Sequence, residues 1–318
     1  MKKGKITGEL KNKSKDLMTV EWKNNQVVMI DQTKLPGKLV FLRYKKYEDV
    51  ARAIERLIVR GAPAIGIAAA FGMSLAAISS KAKTHTALLR DLKIAYDRLR
   101  STRPTAVNLA WALDKIMSVA TSKTNVEDIK KSILLSALNM ATDDITTNKK
   151  LGMNGAGIIG NDEVILTHCN AGSLATVTYG TALGVLRAAN DMGKKIQVIA
   201  TETRPVMQGS RLTAFELDYY NIDVSLIPDT AVGYLMSKGK INRVIVGADR
   251  ILKTGHVYNK IGTYQVAALS KRHNIPFYVA APVSTFDLSS NVNEVVIEER
   301  NKNELIKMGN KLLAPKGI

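Results

Sequence analysis

A single cysteine occurs in 318 residues, and it stands where reactive groups are often placed. Glu163–Thr167 reads as a buried strand, and its carboxyl end runs through His168-Cys169-Asn170-Ala171-Gly172-Ser173 into a segment with helical spacing, 174–189. A helix N-terminus carries partial positive charge, so a thiol just ahead of one is expected to have a lowered pKa and to serve as a thiolate. A free cysteine is equally often a small core hydrophobe, and both readings stay open for Cys169. His168 is its direct neighbour; along a continuing strand the two side chains point to opposite faces. A Cys–His dyad is therefore not expected, and His168 reads as a packed or hydrogen-bonded residue.

A second strand end lies 80 residues later, where Arg243–Val246 gives way to Gly247-Ala248-Asp249-Arg250. Ligands of open parallel sheets bind beyond the carboxyl ends of strands, which places Asp249 on the same rim as Cys169. There it is a helix cap, a partner of Arg250, or a general acid whose pKa is raised by burial. Donors for an anion come from three further places. Arg60-Gly61-Ala62-Pro63 joins a guanidinium to small residues that let backbone N–H groups approach a phosphate. Arg103 sits in Thr102-Arg103-Pro104-Thr105, and Asn259-Lys260 precedes a predicted helix.

The elements that must position these residues divide into two halves, 1–150 and 151–318. In the first, 17–22 and 26–31 alternate around Lys23-Asn24-Asn25 as a hairpin, and helical spacing follows over 49–58, 62–78, 86–99, 107–120 and 126–147. In the second, short apolar runs at Glu163–Thr167, 197–200, Asp223–Ile227, Arg243–Val246, 277–280 and 294–297 read as strands. Helical segments near 174–189, 210–219, 231–236 and 261–271 separate the first five. That alternation predicts an α/β fold, a parallel sheet wrapped by helices behind a mainly helical half with a small antiparallel sheet. Gly155-Ala156-Gly157-Ile158-Ile159-Gly160 matches the dinucleotide fingerprint in letters, but it follows a helix and precedes a strand, the reverse of what pyrophosphate binding needs. It reads as a flexible linker, and no nicotinamide cofactor is expected.

Composition narrows the partners. Lys plus Arg exceed Asp plus Glu by 46 to 28, a net charge of +18. The basic residues are dispersed and only 5% of residues are aromatic, so the interleaved pattern of an RNA-binding surface is missing. No stretch reaches the roughly 20 apolar residues of a membrane span, and one cysteine fits a reducing cytoplasm without disulfides.

Long motifs at these positions resemble the methylthioribose-1-phosphate isomerase family. They are VRGAPAIGIAAAFG (59–72), RPTAVNLAWALDKI (103–116), LTHCNAGSLATVTYGTALGVLRAA (166–189), ETRPVMQGSRLTAFEL (202–217), VIVGADRI (244–251), NKIGTY (259–264) and PFYVAAPVSTFD (276–287). The resemblance implies catalytic roles for Cys169 and Asp249, and substrate contacts from Arg60, Gly61, Ala62, Arg103, Gln208, Asn259 and Lys260. It also implies a Rossmann-like C-terminal domain, a cytoplasmic homodimer, and action on a sugar phosphate in methionine salvage without metal or nucleotide cofactor. Sister isomerases for ribose 1,5-bisphosphate or 5-deoxyribose 1-phosphate share the phosphate grip, and regulatory subunits of the translational guanine-nucleotide exchange factor share the superfamily. Family members commonly continue beyond the APKGI-like segment, here 314–318, so a last sheet element is expected to be missing. Thr178 stands where these isomerases often have glycine, inside the expected helix.

Overall fold

The computed structural model describes residues 16–104, 106–297, 299–309, 311–315 and 318. Two strands, β1 (Val20–Lys23) and β2 (Gln26–Ile30), form the expected hairpin, with Asn24 and Asn25 both at positive φ. Asparagine tolerates that region, and two such residues in sequence match the right-handed twist of the strands. Strand β3 (Phe41–Tyr44) completes a small antiparallel sheet. Five helices follow: α1 (Tyr47–Glu55), α2 (Ala62–Ser79), α3 (His85–Arg100), α4 (Val107–Thr121) and α5 (Val126–Ala156).

Helix α2 is apolar on every face because every face is covered. Its residues 64–77 are all buried, enclosed by α1, α3, α4, α5 and the small sheet. Gly66 and Gly72 permit this crowding; a Cβ on Gly66 would come within 2.9 Å of the Asn108 carbonyl oxygen on α4. Among the described residues α2 alone has the length and composition to cross a membrane, but most of it lies inside this core.

Helix α5 runs into the second half and packs its last turns on α6 (Ala182–Asp191). Gly152 and Gly155 are the contact points, and a Cβ on Gly155 would strike the Val185 side chain at 2.4 Å. The expected flexible linker is thus corrected: these glycines allow two helices to approach closely.

The main sheet is parallel, in the order β10-β7-β4-β5-β6, built from β4 (Glu163–Thr167), β5 (Ile196–Thr201), β6 (Asp223–Ile227), β7 (Arg243–Val246) and β10 (Phe277–Val279). Alternate residues feed opposite cores. Ile165, Val198 and Ile245 face α5, α6 and α7 (Ala214–Tyr219), whereas Leu166, Ile199, Val244 and Val246 face α8 (Val232–Ser237) and α9 (Thr263–Arg272). A small side sheet joins β8 (Arg250–Leu252) to β9 (Val257–Tyr258) and to β11 (Phe286–Asp287).

Two expectations need correction. The segment 174–189 is not one helix: a single 3-10 turn at Ser173–Ala175 gives way to a buried loop, and α6 starts at Ala182. β-Branched Thr176, Val177 and Thr178 disfavour helix, and Tyr179 and Gly180 reverse the chain at positive φ. Thr178 lies in that loop, buried, with its hydroxyl unpartnered. The segment 294–297 is not a strand, because it does not pair with the sheet edge at β10 and exposes Val296 and Ile297.

Candidate active site at the sheet switch point

From β4 the chain steps through β5 to β6 in one direction, then returns to lay β7 and β10 on the other side. The order therefore reverses between β4 and β7, and such a switch point opens a crevice at the carboxyl end of an α/β sheet. Cys169 follows β4 and Asp249 follows β7, one on each side of that crevice.

The β4 side is locked. Cys169 takes a left-handed φ of 67°, a conformation costing a non-glycine residue about 1–2 kcal/mol. Two bonds hold it there: its N–H donates to Thr203 Oγ1 at 2.9 Å, and its carbonyl accepts from Thr213 Oγ1 at 2.6 Å. Asn170 accepts from Arg60 at 2.5 Å and donates to Glu216 at 2.8 Å. Glu216 is 1% exposed and also accepts from the backbone N–H groups of Ser173 and Leu174. Burial pushes the Glu216 carboxyl pKa up, while these donors and the Arg60 charge oppose the rise. The chain Glu216–Asn170–Arg60 fixes the guanidinium's position, and Arg60 Nε is left buried without a hydrogen-bond partner. Asn170, Glu216, Thr203 and Thr213 are not signalled by spacing; only the fold brings them together.

The β7 side is an open lip. Asp249 is reached by solvent although protein surrounds it on most sides; that enclosure raises its carboxyl pKa, opposed by Lys260, Arg60 and Arg103. Its backbone N–H donates to the Tyr258 carbonyl at 2.9 Å, joining it to the turn that carries Asn259 and Lys260. Arg250 pairs with Asp287 at 3.4 Å, so Asp249 is not its partner. Asn259 donates to Thr263 Oγ1 at 3.1 Å in the first turn of α9.

His168 ties the two sides together. Its Nε2 donates to the Ile261 carbonyl at 2.7 Å, and its Nδ1 accepts from Thr201 Oγ1 at 2.6 Å, which assigns the neutral Nε2–H tautomer. Burial lowers its pKa, in keeping with that neutral form. Gly262 packs on the ring, where a Cβ would fall 2.9 Å away. The expectation of a hydrogen-bonded histidine is met, and its partner is the loop bearing Lys260.

Arg60, Lys260 and Asp249 all act on Cys169, and Arg103 acts on Asp249. Gly61 caps α2 at φ 90°, with Ala175 so close that any Cβ would overlap it at 2.4 Å. The first-turn N–H groups of Ala62 and Ala64 have no acceptor within the helix, an arrangement suited to phosphate. Gln208 is 6% exposed, and its Oε1 has no partner. One expectation fails: only a single 3-10 turn, and no α-helix, starts at Ser173 to lower the thiol pKa. Burial of Cys169 raises it instead, opposed by Arg60 and Lys260, with the Asn170 N–H donating to sulfur.

Comparison with known proteins bears on what this site serves. The initiation factor 2 subunit family model matches residues 58–318. A methylthioribose-1-phosphate isomerase of Geobacter metallireducens is 49% identical over 303 residues, covering 94% of this chain and 88% of that protein. The 5-methylthioribose 1-phosphate isomerase structure from Pyrococcus horikoshii OT3 superposes with a TM-score of 0.90 at 43% identity, covering 98% of this chain and 88% of that one. A structure from A. fulgidus titled translation initiation factor eIF-2B, subunit delta, gives 0.86 at 48% identity, covering 95% and 88%. The chain belongs to the initiation factor 2 subunit family and, within it, is similar along nearly its whole length to methylthioribose-1-phosphate isomerases.

Proposed function

We propose that this chain is an aldose–ketose isomerase converting 5-methylthioribose 1-phosphate into 5-methylthioribulose 1-phosphate, with Cys169 and Asp249 as its reacting pair. The carrying observation is near-complete alignment at 49% identity with an isomerase of that name. The charge coupling among Cys169, Asp249, Arg60 and Lys260 across the switch point supports the residue assignment. Arg60, the N–H groups of Ala62 and Ala64 beyond Gly61, Arg103 and Lys260 hold the phosphate; Asn259 and the unpartnered Gln208 Oε1 take sugar hydroxyls. The reading carries a cytoplasmic homodimer with it, which sedimentation of the purified protein tests.

A sugar phosphorylated on its anomeric oxygen cannot release a free aldehyde. Asp249, with its raised pKa, gives its proton to the ring oxygen as the bond from that oxygen to C1 breaks. Two routes then lead to the ketone. In the first, Cys169 as thiolate removes the C2 proton, the electron pair forms an enediol-like intermediate, and the proton returns at C1. In the second, hydrogen passes from C2 to C1 with its electron pair. In either, the C2 hydroxyl proton returns to the Asp249 carboxylate, which balances the step. The raised thiol pKa makes Cys169 a thiol at rest, so the first route requires it to lose its proton in the bound complex.

Turnover in deuterated water separates the routes, since complete absence of solvent deuterium at C1 counts against an exchanging base. Assay of the purified protein, with Cys169→Ser and Asp249→Asn beside it, tests the assignment; general acid–base groups contribute about 10²–10⁴-fold, and both variants are expected to fall by that much. The 48% identity to the A. fulgidus chain titled as an initiation-factor subunit favours a second reading, a binding subunit. A folded protein that turns over no sugar phosphate would leave that reading standing.

A further inference from the structure

Strands β4, β5 and β6 lie side by side and parallel, so their carboxyl ends meet the same rim, with β6 at the edge of the sheet. Cys169, Thr203 and Asp229 each stand two residues past the last residue of their strand, and hydrogen bonds join the three in that order. Cys169 donates its N–H to Thr203 Oγ1 at 2.9 Å. Thr203 donates its own N–H to Asp229 Oδ1 at 2.8 Å, and the next amide, Arg204 N–H, donates to Asp229 Oδ2 at 2.7 Å. Bonds from amides to a carboxylate belong to the stronger, charge-assisted class. One carboxylate on the edge strand therefore grips two consecutive amides and, through one hydroxyl, reaches the peptide of Cys169.

The backbone shows why that grip is needed. Thr203 has a φ of 61°, a region that a β-branched residue rarely enters. Such a conformation persists only where its surroundings over-determine it, and it recurs at functional sites. The two amides that Asp229 holds belong to the peptide planes on either side of the Thr203 Cα, so the carboxylate fixes both backbone angles there. The Thr203 hydroxyl, fully buried, is thereby aimed at the Cys169 N–H. Cys169 is itself left-handed, at φ 67°; its chain leaves the line of β4, and its thiol lies within reach of the charges of Arg60, Lys260 and Asp249.

We infer that Asp229 is a positioning residue for the reaction: from the edge strand it fixes Thr203, and through the Thr203 hydroxyl it sets the backbone turn that presents the Cys169 thiol. The inference rests on the isomerase reading for the reaction that this thiol serves, whereas the link from Asp229 to Cys169 stands on hydrogen bonds and backbone geometry. Misplacing a reacting group by about 1 Å costs up to about 100-fold in rate, so a carboxylate two strands away governs turnover without touching the sugar.

A single cysteine supplies the reporter: the full chain grown with nitrogen-15 cysteine shows one amide resonance, that of Cys169. Spectra, and kinetics with 5-methylthioribose 1-phosphate, are compared for the unaltered chain, Asp229→Ala, Asp229→Asn, Thr203→Val, Thr203→Ser and the combination of Asp229→Ala with Thr203→Val. Circular dichroism checks their folding. Asp229→Ala is expected to lower kcat about 10–100-fold, by more than it changes KM, and to move the Cys169 resonance in the same direction as Thr203→Val does. Asp229→Asn keeps one acceptor and should fall between, which preserves the comparison where Asp229→Ala does not fold. Thr203→Ser keeps the hydroxyl and should recover most of what Thr203→Val loses. Because Asp229 acts through Thr203, the combined variant should be little worse than Thr203→Val alone, whereas independent losses multiply. Multiplied losses, or a Cys169 resonance unmoved in both Asp229 variants, would overturn the positioning role and leave the isomerase intact. The shared resonance shift in a chain that turns over no sugar phosphate would uphold the link from Asp229 to Cys169 and defeat the isomerase reading.

Discussion

The two sides of the crevice are built differently. After β4, every residue from His168 to Ser173 is held by buried partners, and Glu216 alone accepts from three donors. After β7, Asp249 meets solvent, Lys260 is half-buried, and neighbouring Ile261 and Tyr264 are 75% and 87% exposed. The locked side fixes the angle at which a thiol and a guanidinium are presented. The open side sets positive charge where an anion arriving from water meets it first. Changes on the locked side should therefore cost stability and activity together, whereas removing a cation from the lip should cost binding alone.

The largest effect that tests this contrast is Gly172→Ala. A Cβ there would sit 2.2 Å from Glu216 Oε2, and overpacking a filled core costs about 1–3 kcal/mol. Urea unfolding is expected to show a loss near the top of that range, and the folded fraction should turn over substrate slowly. Unchanged stability would show that the β4 loop is not locked. On the lip, Lys260→Met removes a cation without removing a buried partner. Charged hydrogen bonds contribute about 1.5–3 kcal/mol, so KM should rise at least tenfold while the melting temperature holds within about a degree.

His168 spans both sides, so its substitution sharpens the comparison. His168→Leu removes both ring nitrogens, so the Ile261 carbonyl loses its donor and the buried Thr201 hydroxyl keeps only its long contact with Thr203 Oγ1 at 3.4 Å. A loss of about 1–3 kcal/mol in stability is expected, with a rise in KM as the Lys260 loop loses its tie. His168→Gln keeps a donor for Ile261 and should restore part of the KM; if Leu and Gln behave alike, the ring only fills space.

A pH-dependent test concerns Asp144, whose carboxyl pKa is pushed up to about 6 by burial. A raised carboxyl pKa means the folded state holds the proton more tightly than the unfolded one. This stabilising contribution is full at low pH and is lost as pH rises from about 4 to about 6. Asp144→Asn cannot ionise, so its stability relative to the parent should grow across that window and then level off. Thermal melts at pH 4.5 and pH 7 check the sign, and a constant difference would contradict it.

Much of this contrast is legible in the amino-acid sequence alone. The strand ends at Thr167 and Val246, the hairpin at Asn24-Asn25 and the all-apolar α2 follow from local spacing and backbone preference. The locking residues do not. Asn170 and Glu216 are 46 residues apart, and Glu216 lies in an ordinary helical pattern that gives no sign of a buried carboxylate. The reading of 174–189 as one helix fails because the β-branched run and Gly180 outweigh the apolar spacing. With that helix goes the expected cause of a low thiol pKa. Strand order is also beyond local reading: which strand lies beside β4 is decided by long-range packing, and it is this order that makes the crevice.

Because Cys169 is the chain's sole cysteine, its modification can be followed without interference. Incubation with N-ethylmaleimide, with adduct formation read by mass spectrometry and isomerisation of 5-methylthioribose 1-phosphate read by carbon NMR, tests the central claim most directly. Labelling is expected to be slow at neutral pH, to accelerate at alkaline pH as the raised thiol pKa requires, and to be slowed by bound sugar phosphate. Activity should fall in proportion to the single adduct. A fully labelled protein that isomerises its substrate at the original rate would contradict the placement of the reaction between Cys169 and Asp249.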